Sequence, residues 1–357
     1  MAKLFLYRNK LRHNFEFLKK MFEDSGVNWA IVTKLLCGNK DFLKEVLELE
    51  PSQVCDSRLT NLRIIKAINP QMETIYIKPP AKNVIKSLVR FADISLNTEY
   101  ETIREISREA LKQHKVHKII VMVEMGDLRE GVQGKDLEVF FSKVFKLKGI
   151  EVIGLGTNLN CLHGVMPSEE KLLELCRYKS VIEEKFNIKL PFLSGGTTVT
   201  LPLLLESTSF PKEVNHFRIG EALFFGADLF HEKTIKGMYP FTFELEAQVI
   251  EVSEKPSEPY GELMANPMGI KYESSNKKST TIRRAILDIG VLDVAPQFLI
   301  PKNKKIKIVG ASSDMLVVDI SSSRHKYPVG STMKFELKYM GALGLLNSRY
   351  VEKVVLS

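Results

Sequence analysis

Cysteine is scarce and never paired: the four residues, Cys37, Cys55, Cys161 and Cys176, show no CxxC spacing, so neither a disulfide framework nor a zinc knuckle is expected. They read as reduced thiols, and no metal site is expected. No apolar run approaches the roughly 20 residues needed to cross a bilayer. Met1 to Lys10 has neither an apolar core of signal-peptide length nor a small-residue cleavage site, so a cytoplasmic location is expected. Internal repeats and low-complexity segments are missing as well. Basic residues exceed acidic ones, 51 to 43, for a net charge of +8, but they are dispersed. The one longer basic run, Pro301–Lys307, is not interleaved with aromatics, which argues against a nucleic-acid partner and for a surface that attracts small anions.

What remains is an ordinary globular composition, 44% apolar and 26% charged over 357 residues, enough for about two domains of ~150 residues each. Short β-branched and apolar runs recur at Trp29–Lys34, Gln53–Asp56, Thr74–Ile77, Asp93–Leu96, Lys118–Glu124, Gly149–Gly156, Leu190–Leu193 and Asn215–Arg218. Helical periodicity lies between them, as in Asp41–Glu50 and Thr98–His114. Eight strands alternating with helices predict a parallel (β/α)8 TIM barrel, usually ~250 residues long. A doubly wound open sheet is the alternative, but it ordinarily carries a Gly-rich fingerprint near its first strand, and Cys37-Gly38-Asn39 is not one. From about Tyr239 the pattern changes to period-two runs without helical stretches, at Thr242–Val252, Ile282–Ile289, Lys305–Val309, Met315–Ile320 and Thr332–Leu337. The expected organisation is therefore a barrel over residues 1–237 followed by an all-β C-terminal domain over 238–357.

Barrel chemistry collects at the C-terminal ends of the strands. Lys34 ends the first run; it is either one snorkelling lysine among many or an amine desolvated enough to attack carbonyls. Arg129 follows the fifth run, and Asn158 and His163 follow the sixth, positions where ordinary loop polar residues also occur. The seventh run ends in Ser194-Gly195-Gly196-Thr197-Thr198, small residues that let an anion approach closely. The eighth continues as Arg218-Ile219-Gly220-Glu221-Ala222, where an arginine, a glycine and a helix start meet. Phosphate sites in barrels commonly follow strands seven and eight.

A strand-ending lysine, two adjacent anion-binding turns and an all-β C-terminal domain together resemble the alanine-racemase fold of pyridoxal-phosphate enzymes (fold type III). The resemblance covers nearly the whole chain and is greatest to the amino-acid racemase branch that includes ornithine racemase. It rests on Val32-Thr33-Lys34, Gly154 to Cys161, Ser194-Gly195-Gly196, Arg218-Ile219-Gly220-Glu221-Ala222 and Gly310-Ala311-Ser312-Ser313-Asp314. It implies pyridoxal 5'-phosphate as cofactor, Lys34 as the Schiff-base lysine and one catalytic base, and Arg218 against the pyridine nitrogen. Guanidinium does not hand over a proton, so the ring stays a weaker electron sink, which suits racemisation rather than transamination. By the same resemblance Arg129 contacts the ring hydroxyl or substrate carboxylate. Ser194, Gly195, Thr197, Gly220, Glu221 and Tyr350 hold the phosphate, and a homodimer shares its active sites.

The sequence departs from alanine racemase at three places. Cys37-Gly38-Asn39 stands where a tyrosine follows the lysine, and Asn158 replaces a histidine, so alanine is not the expected substrate and longer or basic side chains are. Ile289-Gly290-Val291-Leu292-Asp293 has valine where the second-base tyrosine belongs. Asp314, flanked by Ser312 and Ser313 as substrate-binding residues, is the preferred second base and Asp293 the next; a turn-capping role for that segment and a mechanism with Lys34 on both faces stay open. The competing readings are a decarboxylase or D-amino-acid aldolase on the same fold, a non-catalytic pyridoxal-phosphate carrier, and a sugar-phosphate barrel enzyme that leaves Lys34 and the β domain unexplained.

Overall fold

A computed structural model describes residues 2–206, 209–265, 269, 271–272 and 280–357, in two units. The first, Tyr7–Thr242, is the barrel. Its strands are β1 (Asn28–Val32), β2 (Gln53–Asp56), β3 (Glu73–Tyr76), β4 (Ile94–Asn97), β5 (His117–Met122), β6 (Ile150–Gly156), β7 (Phe192–Ser194) and β8 (His216–Ile219). All neighbouring pairs are parallel. One residue beyond β7, Gly196–Thr197 pairs with β8, and β8 pairs with β1, which closes the ring. Closure needs glycine at 196, because a Cβ there would overlap the Phe217 ring.

Strands in a closed parallel sheet are buried on both faces, which is why the runs read as continuously apolar. Alternate positions Ala30, Val32, Cys55, Ile75, Ile94, Leu96, Ile120, Met122 and Ile153 form one buried cluster inside the barrel. Outside, α1 (Arg8–Ser25) buries Leu11, Phe15, Leu18 and Phe22 at helical spacing and stops at Gly26, whose left-handed φ of 64° a side chain would strain. Among the described residues no helix is long and apolar enough to cross a membrane.

The second unit joins residues up to Leu6, which carry most of the N-terminal strand Lys3–Tyr7, to Phe243–Leu356. Its strands are β9 (Phe243–Pro256), β10 (Thr281–Leu287), β11 (Leu299–Pro301), β12 (Lys307–Ala311), β13 (Leu316–Asp319), β14 (Thr332–Leu337) and β15 (Glu352–Leu356). Their order is β11-β14-β9-β10-β13-β12, and the N-terminal strand lies between β9 and β15. The long β9 serves two neighbours: Glu244–Gln248 pairs with β14, and beyond a bulge at Val249/Glu251 its remainder pairs with β10.

The parallel barrel and the antiparallel C-terminal unit are as expected, and one boundary is corrected. Residues 3–6 belong to the antiparallel unit rather than to the barrel, because Leu4 and Leu6 are fully buried in register with Leu245 and Phe243. The C-terminal unit also contains a helix, Tyr339–Asn347. Its glycines let it pack closely, since a Cβ on Gly341 would sit 2.8 Å from Phe298 O and one on Gly344 2.7 Å from Asp293 O.

Candidate active site

Lys34 does not end β1. Thr33 already has helical backbone angles, and Lys34 opens the single turn Lys34–Leu36. It is therefore exposed in the single chain rather than desolvated, which corrects the expectation from the apolar run. What is buried lies beneath it. Thr33 N donates to Cys55 O at 2.8 Å, and Thr33 Oγ1 donates to Asp56 Oδ2 at 2.9 Å. The Asp56 carboxylate also accepts from Arg58 N at 2.9 Å and from Asn61 Nδ2 at 3.1 and 3.2 Å. Burial pushes the Asp56 carboxyl up, against these donors. Asn61 in turn sits under the turn after Lys34, where a Cβ on Gly38 would come within 2.6 Å of its Oδ1. With a φ of +76° at Gly38, the Cys37-Gly38-Asn39 segment is a tight turn, and Asn39 then caps the next helix through Phe42 N.

Arg218 lies on β8, in register with Ala30 of β1, and is only 5% exposed. Its Nη1 donates to Ser194 O at 3.0 Å and to Ser194 Oγ, and its Nη2 donates to Thr157 O at 2.7 Å. Burial pulls this guanidinium below its usual value, partly offset by Cys55 and Glu130 nearby. The interior thiol of Cys55 is pushed up to about 12 by burial and is therefore inert. Asn158, half-buried, directly follows the Thr157 that Arg218 touches.

After β8, Gly220 caps a short helix that begins at Glu221. A Cβ on Gly220 would come 3.2 Å from Val32 Cβ, so glycine lets this turn close onto the end of β1. First-turn amides have no acceptor within their own helix. Ala222 N donates to Thr198 Oγ1 at 3.2 Å, tying the β7 and β8 turns together. The Glu221 carboxyl is pushed up by burial and held back by the charge of Lys34. Ser194 is placed differently from the expected anion cradle. As the last residue of β7 it points inward and is fully buried, with its hydroxyl 2.7 Å from His216 Nδ1. Gly195 is buried and donates its N–H to Leu193 O at 3.1 Å, while Thr197 donates to Thr200 Oγ1 at 3.3 Å.

Arg129 is held by its neighbours rather than free: it forks onto Glu130 and donates to Cys161 Sγ. The two loops carrying these residues are joined at Asp127, which accepts from Leu162 N at 2.8 Å, Val165 N at 3.2 Å, His163 N at 3.3 Å and Cys161 N at 3.4 Å. Burial alone raises an acid, but these four donors hold the Asp127 carboxyl below its usual value. His163 is thus a loop-bracing residue, with Nδ1 2.8 Å from Asp127 O.

The β-unit candidates gather in one loop cluster. Val291 N and Leu292 N donate to Ser312 O and Ser313 O, each at 3.0 Å. Gly290 allows this approach, since a Cβ there would overlap the Ser313–Asp314 backbone. Asp314 is exposed and accepts from Ser313 Oγ at 2.7 Å, while Ser312 Oγ accepts from Met315 N at 3.2 Å. Asp293 accepts from Ser348 Oγ at 2.5 Å, and Ser348 Oγ accepts from Tyr350 N at 3.1 Å. Tyr350 itself is 75% exposed. Sequence reasoning missed Asp56, Asn61, Gln53 and His216; for Gln53, Asp56 and His216 the available signal was a polar residue at the end of an otherwise apolar strand, whereas Asn61 lies within a helix.

The residues at the barrel's C-terminal end fit pyridoxal phosphate. An accessible amine stands on the turn just after β1, a buried guanidinium stands on the adjoining strand, and a helix start after that strand closes against β1 through a glycine. Residues 7–228 match the family described as alanine racemase, N-terminal domain. The chain is 36% identical to ornithine racemase of Acetoanaerobium sticklandii over 98% of both chains. It is 28% identical to lysine racemase of Thermotoga maritima over 99% of this chain and 98% of that one. Alanine racemase from Bartonella henselae with covalently bound pyridoxal phosphate has the same fold, with a TM-score of 0.75 over 99% of each chain at 17% identity. Alanine racemase from Streptomyces coelicolor A3(2) matches at a TM-score of 0.75 and 14% identity over 100% of this chain and 98% of that one. The chain belongs to the alanine racemase family, the pyridoxal-phosphate-dependent amino-acid racemases.

Proposed function

We propose that this protein interconverts the L and D forms of a basic amino acid such as ornithine or lysine, as a homodimer acting in the cytoplasm. The observation that carries this reading is the pairing of an accessible Lys34, on the turn that follows β1, with a buried, backbone-anchored Arg218 on the adjoining strand β8, joined to 36% identity with an ornithine racemase. Pyridoxal phosphate, when bound, supplies the electron sink that makes an α-proton labile. Lys34 anchors it and, once released, takes or returns the α-proton on one face. Arg218 would hold the ring nitrogen without giving it a proton, since a guanidinium is not deprotonated.

Gly220 and Glu221 hold the phosphate through the amides of the helix start, with Thr197 and Gly195 lining the adjoining turn and Tyr350 supplying a phenol. Ser194 serves this group through Arg218. Asn158 borders the ring, and Arg129 meets the ring hydroxyl or the substrate carboxylate. On the opposite face the proton is handled by Asp314, brought by the β unit of the partner protomer, with Ser312 and Ser313 orienting the substrate. Asp293 faces the substrate's side-chain ammonium.

A chiral assay against single-enantiomer ornithine, lysine, arginine and alanine tests the substrate. A higher kcat/KM for ornithine or lysine than for alanine is expected. Preference for alanine over every basic amino acid overturns the substrate reading.

A further inference from the structure

No carboxylate lies within ion-pairing distance of the buried Arg218 guanidinium among the described residues, although a buried charge ordinarily has a partner. The contacts continue instead through Ser194. Ser194 Oγ lies 2.7 Å from His216 Nδ1, and His216 Nε2 lies 3.0 Å from Gln53 Oε1. Gln53 Nε2 donates to Glu73 Oε2, and Glu73 lies 4.0 Å from Lys118 Nζ. Ser194, His216 and Gln53 are all buried. The path runs from the C-terminal half of the barrel to its opposite end, where Gln53, Glu73 and His216 are the first residues of β2, β3 and β8.

The two ends fix its direction. A guanidinium only donates and an ionised carboxylate only accepts. Ser194 Oγ therefore accepts from Arg218, which leaves its own proton for His216 Nδ1. An imidazole accepting at Nδ1 carries its proton at Nε2, which donates to Gln53 Oε1, and the Gln53 amide nitrogen then faces Glu73. Burial, with Arg218 adding to it, lowers His216 to about 3, which keeps the ring in the neutral form that this arrangement requires.

We propose that His216 is a positioning residue for Arg218, the centre of a single directed chain, Arg218 to Ser194 to His216 to Gln53 to Glu73, that orients the guanidinium and couples it to a carboxylate at the far end of the barrel. The proposal rests on the reading of Arg218 as the group that holds the cofactor's ring nitrogen. Aligned hydrogen bonds polarise one another, so the distant carboxylate strengthens the hold on the guanidinium. A break in the middle leaves a buried donor or acceptor unpaired and loosens Arg218 without touching it.

The first measurement needs no cofactor. In apoprotein labelled with ¹⁵N-histidine, with His216 identified by its loss in His216→Gln, the ring is expected as the neutral Nε2–H tautomer from about pH 5 to about pH 9. The opposite tautomer, or titration within that range, overturns the directed chain whether or not the protein binds pyridoxal phosphate. The second uses protein loaded with pyridoxal phosphate. Gln53→Leu, three hydrogen bonds away from Arg218, is expected to weaken pyridoxal-phosphate binding about tenfold and to shift the visible band of the bound cofactor. The exchange Gln53→Glu with Glu73→Gln keeps an acceptor for His216 and a donor for residue 53, and is expected to restore both. Gln53→Leu protein with unchanged affinity and spectrum overturns the proposal. A wild-type protein that takes up no pyridoxal phosphate overturns the functional reading instead, and the tautomer still decides the chain.

Discussion

The barrel and the β unit hold their candidate residues by different means. Arg218 is buried and fixed by three hydrogen bonds that it donates to Ser194 at the end of β7 and to Thr157 just past β6, and the floor beneath Lys34 is a buried Thr33–Asp56–Asn61 network. Asp314 is exposed and bonded to its own neighbour, on a turn kept in place by backbone hydrogen bonds to the Gly290–Leu292 loop. Buried polar groups must be satisfied or they are costly, so each barrel residue is constrained by several others. An exposed turn carries no such penalty and can exchange its functional side chain without endangering the fold. Valine at position 291, where relatives in the resemblance carry a tyrosine, fits that freedom.

The largest effect expected from this contrast is at Lys34, a barrel candidate that is exposed. Lys34→Ala leaves the buried network intact, so thermal stability is expected to stay near wild type while racemisation of both enantiomers falls by about 10³-fold or more. Borohydride reduction of the wild-type protein loaded with pyridoxal phosphate is expected to label Lys34. Substantial turnover in Lys34→Ala, or a label on another lysine, breaks the assignment.

A smaller effect is expected from the β unit, and it is asymmetric. Asp314→Asn keeps the shape of the turn but removes the base, so α-proton exchange from one enantiomer is expected to slow by about 10²-fold or more while the other enantiomer and cofactor affinity change little. Gly290→Ala, whose Cβ overlaps the Ser313–Asp314 backbone, is expected to give the same asymmetry by displacing the turn. Equal slowing of both enantiomers, or solvent-deuterium exchange that survives in both Asp314→Asn and Asp293→Asn, points to Lys34 on both faces.

The same contrast explains what the sequence disclosed. The eight barrel strands were legible because burial on both faces leaves an uninterrupted apolar run, and each observed strand lies within two residues of its expected ends. The end of β1 was not, because Thr33 is as compatible with a strand as with the helical turn it starts, and those two residues decide whether Lys34 is buried or exposed. Ser194 was misplaced for a related reason: facing alternates along a strand, so one residue separates an inward hydroxyl from an outward one. The role of His216 depends on Ser194 and Gln53, which are distant in sequence and meet only through the closure of the ring. The helix Tyr339–Asn347 was hidden by its glycines, which disfavour a helix locally and are needed for its packing.

The smallest effect expected is on stability, and it too separates the two regions. His117 is buried at the start of β5, with Nε2 2.9 Å from Ser95 Oγ, and burial lowers it to about 4. His216, at the same end of the barrel, is lowered to about 3. An unfolded histidine titrates near about 6.5, so in this range the unfolded chain binds protons that the folded barrel refuses. The stability contributed by each neutral ring is complete above about pH 6.5 and is lost as the pH falls from there toward the folded value. Each histidine contributes a slope of about 1.4 kcal/mol per pH unit within that window. His117→Gln keeps a polar partner for Ser95 and removes one titrating group. It is expected to lower the urea midpoint of the barrel at pH 7 and to flatten its decline between about pH 6 and about pH 4.5 by the share of one histidine. An unchanged slope in that variant places the acid sensitivity outside the barrel's buried rings and removes this distinction between the units.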